Sequence, residues 1–446
     1  MTRNACLALL ALLGLVPLSA CSENVAPPAT QYGSNPVLPE PTQYLLPPMR
    51  VPTSVGWEPD VTPTVPAGLR IQALATGFSH PRTVYALPNG DILVVESNGP
   101  KAPIYRPKDY IAGVVKGRAG AGAPGGNRIT LLRDVDGDGK PELRTIFLDN
   151  LNSPFGVVLV DDQLYVANTD AILRFHYQPG QTQITEPGVV VTDLPAGPIN
   201  HHWTKSLTAS PDGSRLYVGV GSNSNITENG IAAEEGRAAI WEVERATGFK
   251  RIFASGVRNP TGLAFEPTTH KLWAIANERD ELGPDLVPDY LTSVREGGFY
   301  GWPYSYFGNH VDVRAQPQRP DLVAQAIAPD YALSSHVAPL GLVFSQAARL
   351  PENYRNGVFV GEHGSWDRNP LNGYKVVYVP FRDGRPSGPP QDVVTGFLGP
   401  DGNTVRGRPV GVALDRNGAL LIADDVGNTV WQVSMPGAAT AESETH

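Results

Sequence analysis

Six times along the chain, a proline or an equivalent residue introduces a short alternating run of apolar side chains, then a turn, then a second such run. The copies run from Pro81 to Ser97, Pro154 to Thr169, Thr204 to Ser222, Pro260 to Glu278, Pro339 to His363 and Pro409 to Asp425. Alternation with period two is the pattern of a strand with two distinct faces. The turns Pro88-Asn89-Gly90, Pro211-Asp212-Gly213 and Arg416-Asn417-Gly418 are suited to tight hairpins. Copies spaced about 50 to 80 residues apart leave room for four strands each, the size of a propeller blade. The expectation is an all-β, six-bladed β-propeller. A β-sandwich array would not require hairpins alike in both strands and turn.

Composition agrees with that reading. Of 446 residues, 47 are Gly and 43 Pro, too many breakers for long helices. The net charge is −9 and no Lys/Arg-rich run occurs, which argues against nucleic acid as a partner. Both cysteines, Cys6 and Cys21, lie at the N-terminus, so the core must hold without disulfides. Residues 1–20 have a basic start, an apolar run and small residues before Cys21, and resemble a bacterial lipoprotein signal. The mature chain is then acylated at Cys21 and touches a membrane only through that anchor. Ser22 beside it points to the outer membrane, and the expected location is the periplasmic side of the cell envelope. Residues 21–66 are proline-rich and read as an extended tether, 67–435 as the propeller, and 436–446 as a disordered tail.

In a hairpin, the residue before the first strand and the residue after the second lie at one edge. Six hairpins therefore collect those residues at one mouth of the central channel. Before the first strands stand His80, Ser153, His202, Arg258-Asn259, His336 and Arg406-Gly407-Arg408. After the second strands stand Glu96, Asn168, Ser222, Glu278-Arg279-Asp280, Glu362-His363 and Asp424-Asp425. Imidazoles and guanidinium groups gathered this way suit an anionic ligand and an acid/base step.

The runs His202-Trp203-Thr204-Lys205-Ser206-Leu207, Gly256-Val257-Arg258-Asn259-Pro260-Thr261-Gly262-Leu263, Gly297-Gly298-Phe299-Tyr300-Gly301-Trp302-Pro303 and Arg406-Gly407-Arg408 resemble, in that order, the soluble glucose and sorbosone dehydrogenases. The resemblance spans roughly residues 67 to 433 and implies a quinoprotein that uses pyrroloquinoline quinone and calcium (Ca2+). It implies His202 as catalytic base and Arg258 with Asn259 on the quinone carbonyls. It also implies Arg406 and Arg408 on the cofactor's carboxylates, and calcium on main-chain carbonyls near Arg279 and Asp280. The acid that precedes the base in glucose-oxidising members is His201 here, and His363 or Arg368 stands in place of the family's cofactor-proximal lysine. The substrate implied is an aldose or a sugar-derived aldehyde or alcohol, with an external electron acceptor. A side chain cannot accept hydride, and no Gly-x-Gly-x-x-Gly fingerprint sits between a strand and a helix.

Two other readings use the same mouth. A calcium-dependent lactonase or esterase would take its metal on Glu96, Asn152, Asn168 and Asp424, and a propeller that only binds partners needs no cationic pocket. Separately, Asp134, Asp136, Asp138 and Glu142 alternate through an acidic, glycine-containing turn, and with the Lys140 carbonyl they are expected to hold a structural calcium ion.

Two measurements check these expectations. Cys21→Ala should release the protein from the membrane fraction or block its processing; unchanged fractionation contradicts the anchor. Replacing Asp134 and Asp136 together should lower the bound calcium count by one ion, and an unaltered count rules out the loop site.

Overall fold

The structure, a computed structural model, describes residues 25–43, 50–100, 117–118, 120 and 122–436. The signal-like segment, Cys21 and nearly all of the expected tail lie outside these residues. The six expected hairpins are the inner halves of six small antiparallel sheets arranged as a propeller. Blade one comprises Pro81–Ala86, Ile92–Glu96, Arg128–Arg133 and Leu143–Leu148; blade two Gly156–Val160, Gln163–Ala167, Ala171–His176 and Val189–Asp193. Blade three comprises Leu207–Ala209, Arg215–Val220, Ala239–Glu244 and Lys250–Ser255; blade four Pro260–Phe265, Leu272–Ala276, Pro288–Ser293 and Tyr331–Ser335. Blade five is built on Pro339–Phe344, Gly357–Glu362, Lys375–Arg382 and Gln391–Val394. Blade six takes three strands from the C-terminal end, Pro409–Leu414, Leu420–Asp424 and Thr429–Ser434. Its outermost strand, Arg70–Thr76, comes from the N-terminal end. The ring is thus closed by a seam of main-chain hydrogen bonds.

Alternation along each strand gives every blade two apolar faces. In blade five, Val358 and Val360 pack with Trp273, Ile275 and Leu291 of blade four, while Phe359 between them packs with Leu420, Ile422 and Trp431 of blade six. Where innermost strands approach each other, glycine is required: a Cβ on Gly341 would lie 2.6 Å from the Val410 carbonyl oxygen. Hydroxyls stitch neighbouring blades at the proline position, as when Ser206 Oγ donates to the Pro260 carbonyl at 2.8 Å.

The residue after each introducing position starts the innermost strand's run. These six are Arg82, Phe155, Lys205, Thr261, Leu340 and Val410. Phe155, Leu340 and Val410, from blades two, five and six, touch one another across the channel, with Trp203 packed against them. The channel is therefore plugged below its mouth by side chains.

One expectation changes. Where it is described, the proline-rich segment lies on the propeller instead of standing off it as a tether. Tyr32–Gly33 adds a strand to blade four, Thr53–Ser54 pairs in parallel with Thr404–Val405, and Thr64 bridges Thr395. Gln31 is buried and donates to Asp285. Trp57 Nε1 donates to Asp424 Oδ2 at 2.7 Å, its ring edge-on to Phe397 and Trp431. Prolines made this segment look like a linker because they remove ladder donors. Its few side-chain anchors suffice to strap it down.

The strap can be tested at Trp57. Trp57→Phe keeps the ring contacts but removes one donor from a fully buried carboxylate, and should cost about 1–3 kcal/mol in urea unfolding. Val55→Ala, at an exposed position of the same segment, should shift the midpoint little.

Candidate functional site

The mouth is organised from the turn after the second strand of blade three. Ser222 donates its amide to the Arg258 carbonyl at 2.7 Å, and its own carbonyl accepts from the His202 amide. His202 Nδ1 lies 2.9 Å from that Ser222 carbonyl oxygen and 3.0 Å from Ser222 Oγ. Because Ser222 Oγ gives its hydrogen to the Ser224 carbonyl, Nδ1 must be the donor, which makes Nε2 the basic nitrogen. Gly221 lies between His202 and Asn259: a Cβ there would be 2.5 Å from His202 Cβ and 2.4 Å from Asn259 Oδ1. The structure thus brings His202, Arg258 and Asn259 together in the register expected from the repeat.

Arg258, however, is not poised toward a ligand. Its guanidinium is buried, with Nε on the Asn225 carbonyl, Nη1 on the Asn277 and Glu278 carbonyls, and Nη2 on Asn225 Oδ1 and Asp280 Oδ2. All five N–H groups have protein partners, so Arg258 fixes the loops of blades three and four. The Arg279 side chain is engaged as fully, which leaves the expectation for its main-chain carbonyl unaltered. Its side chain is fully buried and binds Glu278, Asp312 and the carbonyls of Pro303 and Ser305. The Asp280 carbonyl already accepts from Asn225 Nδ2 and Arg314 Nη1, so it has no lone pair left for calcium. The residues therefore do not fit a calcium held on the Asp280 carbonyl.

On the far side of the mouth, Arg408 is buried against Tyr374, with Nε on the His363 carbonyl and Nη2 on the Gly364 carbonyl and Tyr374 hydroxyl. Its Nη1 has no hydrogen-bond partner among the described residues. The half-buried Arg406 guanidinium likewise has none among them. His363 is engaged: Nε2 donates to both oxygens of Asp425 at 3.0 Å, and burial pushes its imidazole down to about 4. Arg82 and His80 also reach Asp425. Burial alone would raise that carboxyl; the His363, His80 and Arg82 side chains hold it well below the usual range. Arg368, the other candidate for the missing lysine, binds Asp285 and the Pro284 carbonyl.

Arg82 and Lys205 are absent from the residues expected at the mouth. Lys205 is fully buried in the channel wall, donates to the Trp203 carbonyl at 3.1 Å, and is pushed down to about 7 by burial. The signal was present: in the slot after the introducing position of the repeat, only Arg82 and Lys205 are charged.

Of the four lactonase ligands, Asn168 Oδ1 is buried without a partner among the described residues, whereas both carboxylates are engaged. Glu96 accepts from Arg128, Thr130 and the Ser79 amide, and Asp424 from the Arg408 and Gly427 amides and two indoles. In blade one, the exposed Asp134, Asp136, Asp138 and Glu142 do converge, each offering an oxygen within 4.8 Å of the others. Loop amides, that of Lys140 included, already donate to these carboxylates.

The residues at the mouth fit a polyanionic cofactor on one observation. Asn259 Oδ1 is buried without a partner, and the Arg406 guanidinium and Arg408 Nη1 are partnerless among the described residues. The unused arginine N–H groups can donate to an anion, and the buried Asn259 Oδ1 can accept from a donor, since buried polar groups are normally satisfied.

Comparisons with known proteins follow the same line. The PQQ domain of pyranose dehydrogenase from Coprinopsis cinerea superposes with a TM-score of 0.69 at 19% identity, covering 86% of this chain and 99% of that one. A Trichoderma reesei protein of Carbohydrate-Active Enzymes Family AA12, in its calcium structure, gives 0.67 at 18% identity, covering 84% and 97%. Aldose sugar dehydrogenase YliI of Escherichia coli (strain K12) is 27% identical over 111 residues, 25% of this chain and 28% of that protein. The alignment with the full pyranose dehydrogenase likewise spans 35% of its length. The family model described as TrAA12-like matches residues 130–288 and 313–435, most of the propeller, and the chain belongs to that family.

Proposed function

We propose that the protein is a quinoprotein dehydrogenase that oxidises an aldose, or a sugar-derived aldehyde or alcohol, and passes the electrons to an external acceptor. The observation that carries this reading is the His202 imidazole, held through Nδ1 on Ser222 and locked in register with Arg258-Asn259 beside unused cationic groups. Names of related proteins, PQQ-dependent pyranose dehydrogenase and aldose sugar dehydrogenase, support the same class. Pyrroloquinoline quinone, with calcium as Lewis acid, would supply the electrophilic carbon that takes the hydride.

The chain's own residues do the rest. His202 Nε2 takes the proton of the sugar hydroxyl, and the Ser222 carbonyl stabilises the imidazolium that forms by accepting from Nδ1–H. Arg406 and Arg408 Nη1 bind the cofactor's carboxylates, and Asn259 orients it. Arg258 and Asp425 are positioning residues: one fixes the loops that present Asn259, the other ties His363 and Arg82 below the mouth. Calcium belongs to the acidic loop of Asp134, Asp136, Asp138 and Glu142 and, at the mouth, to the Arg279 carbonyl. The Cys21 anchor would place all of this in the cell envelope.

Reconstitution with pyrroloquinoline quinone and calcium, followed by dye reduction over a panel of aldoses, separates the roles. His202→Ala should keep cofactor affinity within about two-fold and lower turnover by about 100-fold or more. Arg406→Ala should weaken cofactor binding by roughly 10- to 100-fold, as for loss of one charge-assisted contact. Full turnover in the first variant, or unchanged affinity in the second, contradicts the assignment.

A further inference from the structure

We propose that Asp280, His336 and Asp367 form a binding site for one divalent transition-metal ion of the zinc class, which clips three loops together beside Arg258. Asp280 comes from the turn after the second strand of blade four, His336 from the link between blades four and five, and Asp367 from the loop after the second strand of blade five. Each offers one ligand atom, and these atoms lie within 4.8 Å of one another. His336 Nε2 donates to the Gly283 carbonyl at 3.1 Å, which leaves Nδ1 aimed at both carboxylates. Metal-bound histidines show this arrangement, the far ring nitrogen fixed by a main-chain carbonyl.

The distances leave room for an ion between the three side chains. Nδ1 lies 3.5 Å from Asp280 Oδ1 and 3.4 Å from Asp367 Oδ1. An imidazolium donating to a carboxylate closes to about 2.7–2.9 Å. Donors held at about 2.0–2.1 Å around a tetrahedral ion stand about 3.3 Å apart. The two printed spacings from Nδ1 are close to those between ligands around an ion, and each exceeds a direct charge-assisted hydrogen bond.

A second observation points the same way. Asp367 is 5% exposed, and its Oδ1, the oxygen facing His336, is buried with no hydrogen-bond partner. Charge adds to this: Asp289 also faces the cluster, Arg368 is engaged with Asp285, and Arg258 reaches Asp280 through Oδ2 at 3.5 Å, not through the Oδ1 that faces His336. One imidazole and two carboxylates suit zinc-class ions better than magnesium, which favours oxygen and water. Access is from the Asp280 side, whose side chain is 23% exposed against 4% for each of the other two. The site uses the Asp280 side chain, not the main-chain carbonyl that the family resemblance implies, and it does not depend on sugar oxidation.

Untagged full-length protein, dialysed against a chelator and titrated with cobalt(II), should take up one ion per chain with visible d–d absorption, displaced by zinc(II). His336→Gln and Asp367→Asn should each lose it, whereas the Asp134/Asp136 double replacement should retain it. Anomalous scattering from zinc-soaked crystals of the unaltered protein gives an answer that needs no variant, with a peak expected between the three side chains. No bound cobalt in the unaltered protein, absorption unchanged in His336→Gln, or an anomalous peak only elsewhere overturns the proposal.

Discussion

The pairing of Arg70–Thr76 with Thr429–Ser434 is the contact on which the rest depends. A propeller has no central core; each blade is buried only because both neighbours are present. With no cysteine beyond Cys21, closure rests on this one antiparallel ladder and the apolar layers on either side of blade six. Once the ring is closed, the introducing residues of all six blades lie on one circle, and the mouth residues acquire fixed positions.

Closure also explains why so much charge is buried near the axis. Asp425 of blade six is satisfied by His80 and Arg82 of blade one and His363 of blade five. Asp424 holds the Arg408 amide while the N-terminal strap caps it through Trp57. Asp285 is tied to Arg368 of the blade-five loop and to Gln31 of the strap. Carboxylates buried near the mouth, each with a donor from another blade or from the strap, hold the loops without disulfides. Removing one partner from such a group costs more than the pair contributes net, so the mouth resists deformation.

The repeat was legible because it is local. Alternation, turn residues and the proline slot lie within each hairpin, and they led to the six blades, the shared edge and the register of His202 with Arg258. What could not be read is where a polar group finds its partner. Arg258 looks like a ligand contact in sequence and is a structural bolt in space, because Asn225 and the Glu278 carbonyl come to it from other turns. Trp57 resembles a residue in a linker until it meets Asp424, 367 positions away. Lys205 and Arg82 were readable in principle, as the charged members of an otherwise apolar or hydroxyl-bearing slot.

The central claim is that the edge shared by the six hairpins is a cofactor mouth whose anion-binding groups are Arg406 and Arg408 and whose base is His202. A crystal structure with pyrroloquinoline quinone and calcium tests it most directly. The account predicts cofactor carboxylates within hydrogen-bonding distance of Arg406 and Arg408 Nη1, with His202 Nε2 facing the space over the ring system and Arg258 still bonded to Asn225 and Glu278. Cofactor bound away from this mouth, or in it with neither arginine in contact, would contradict the account.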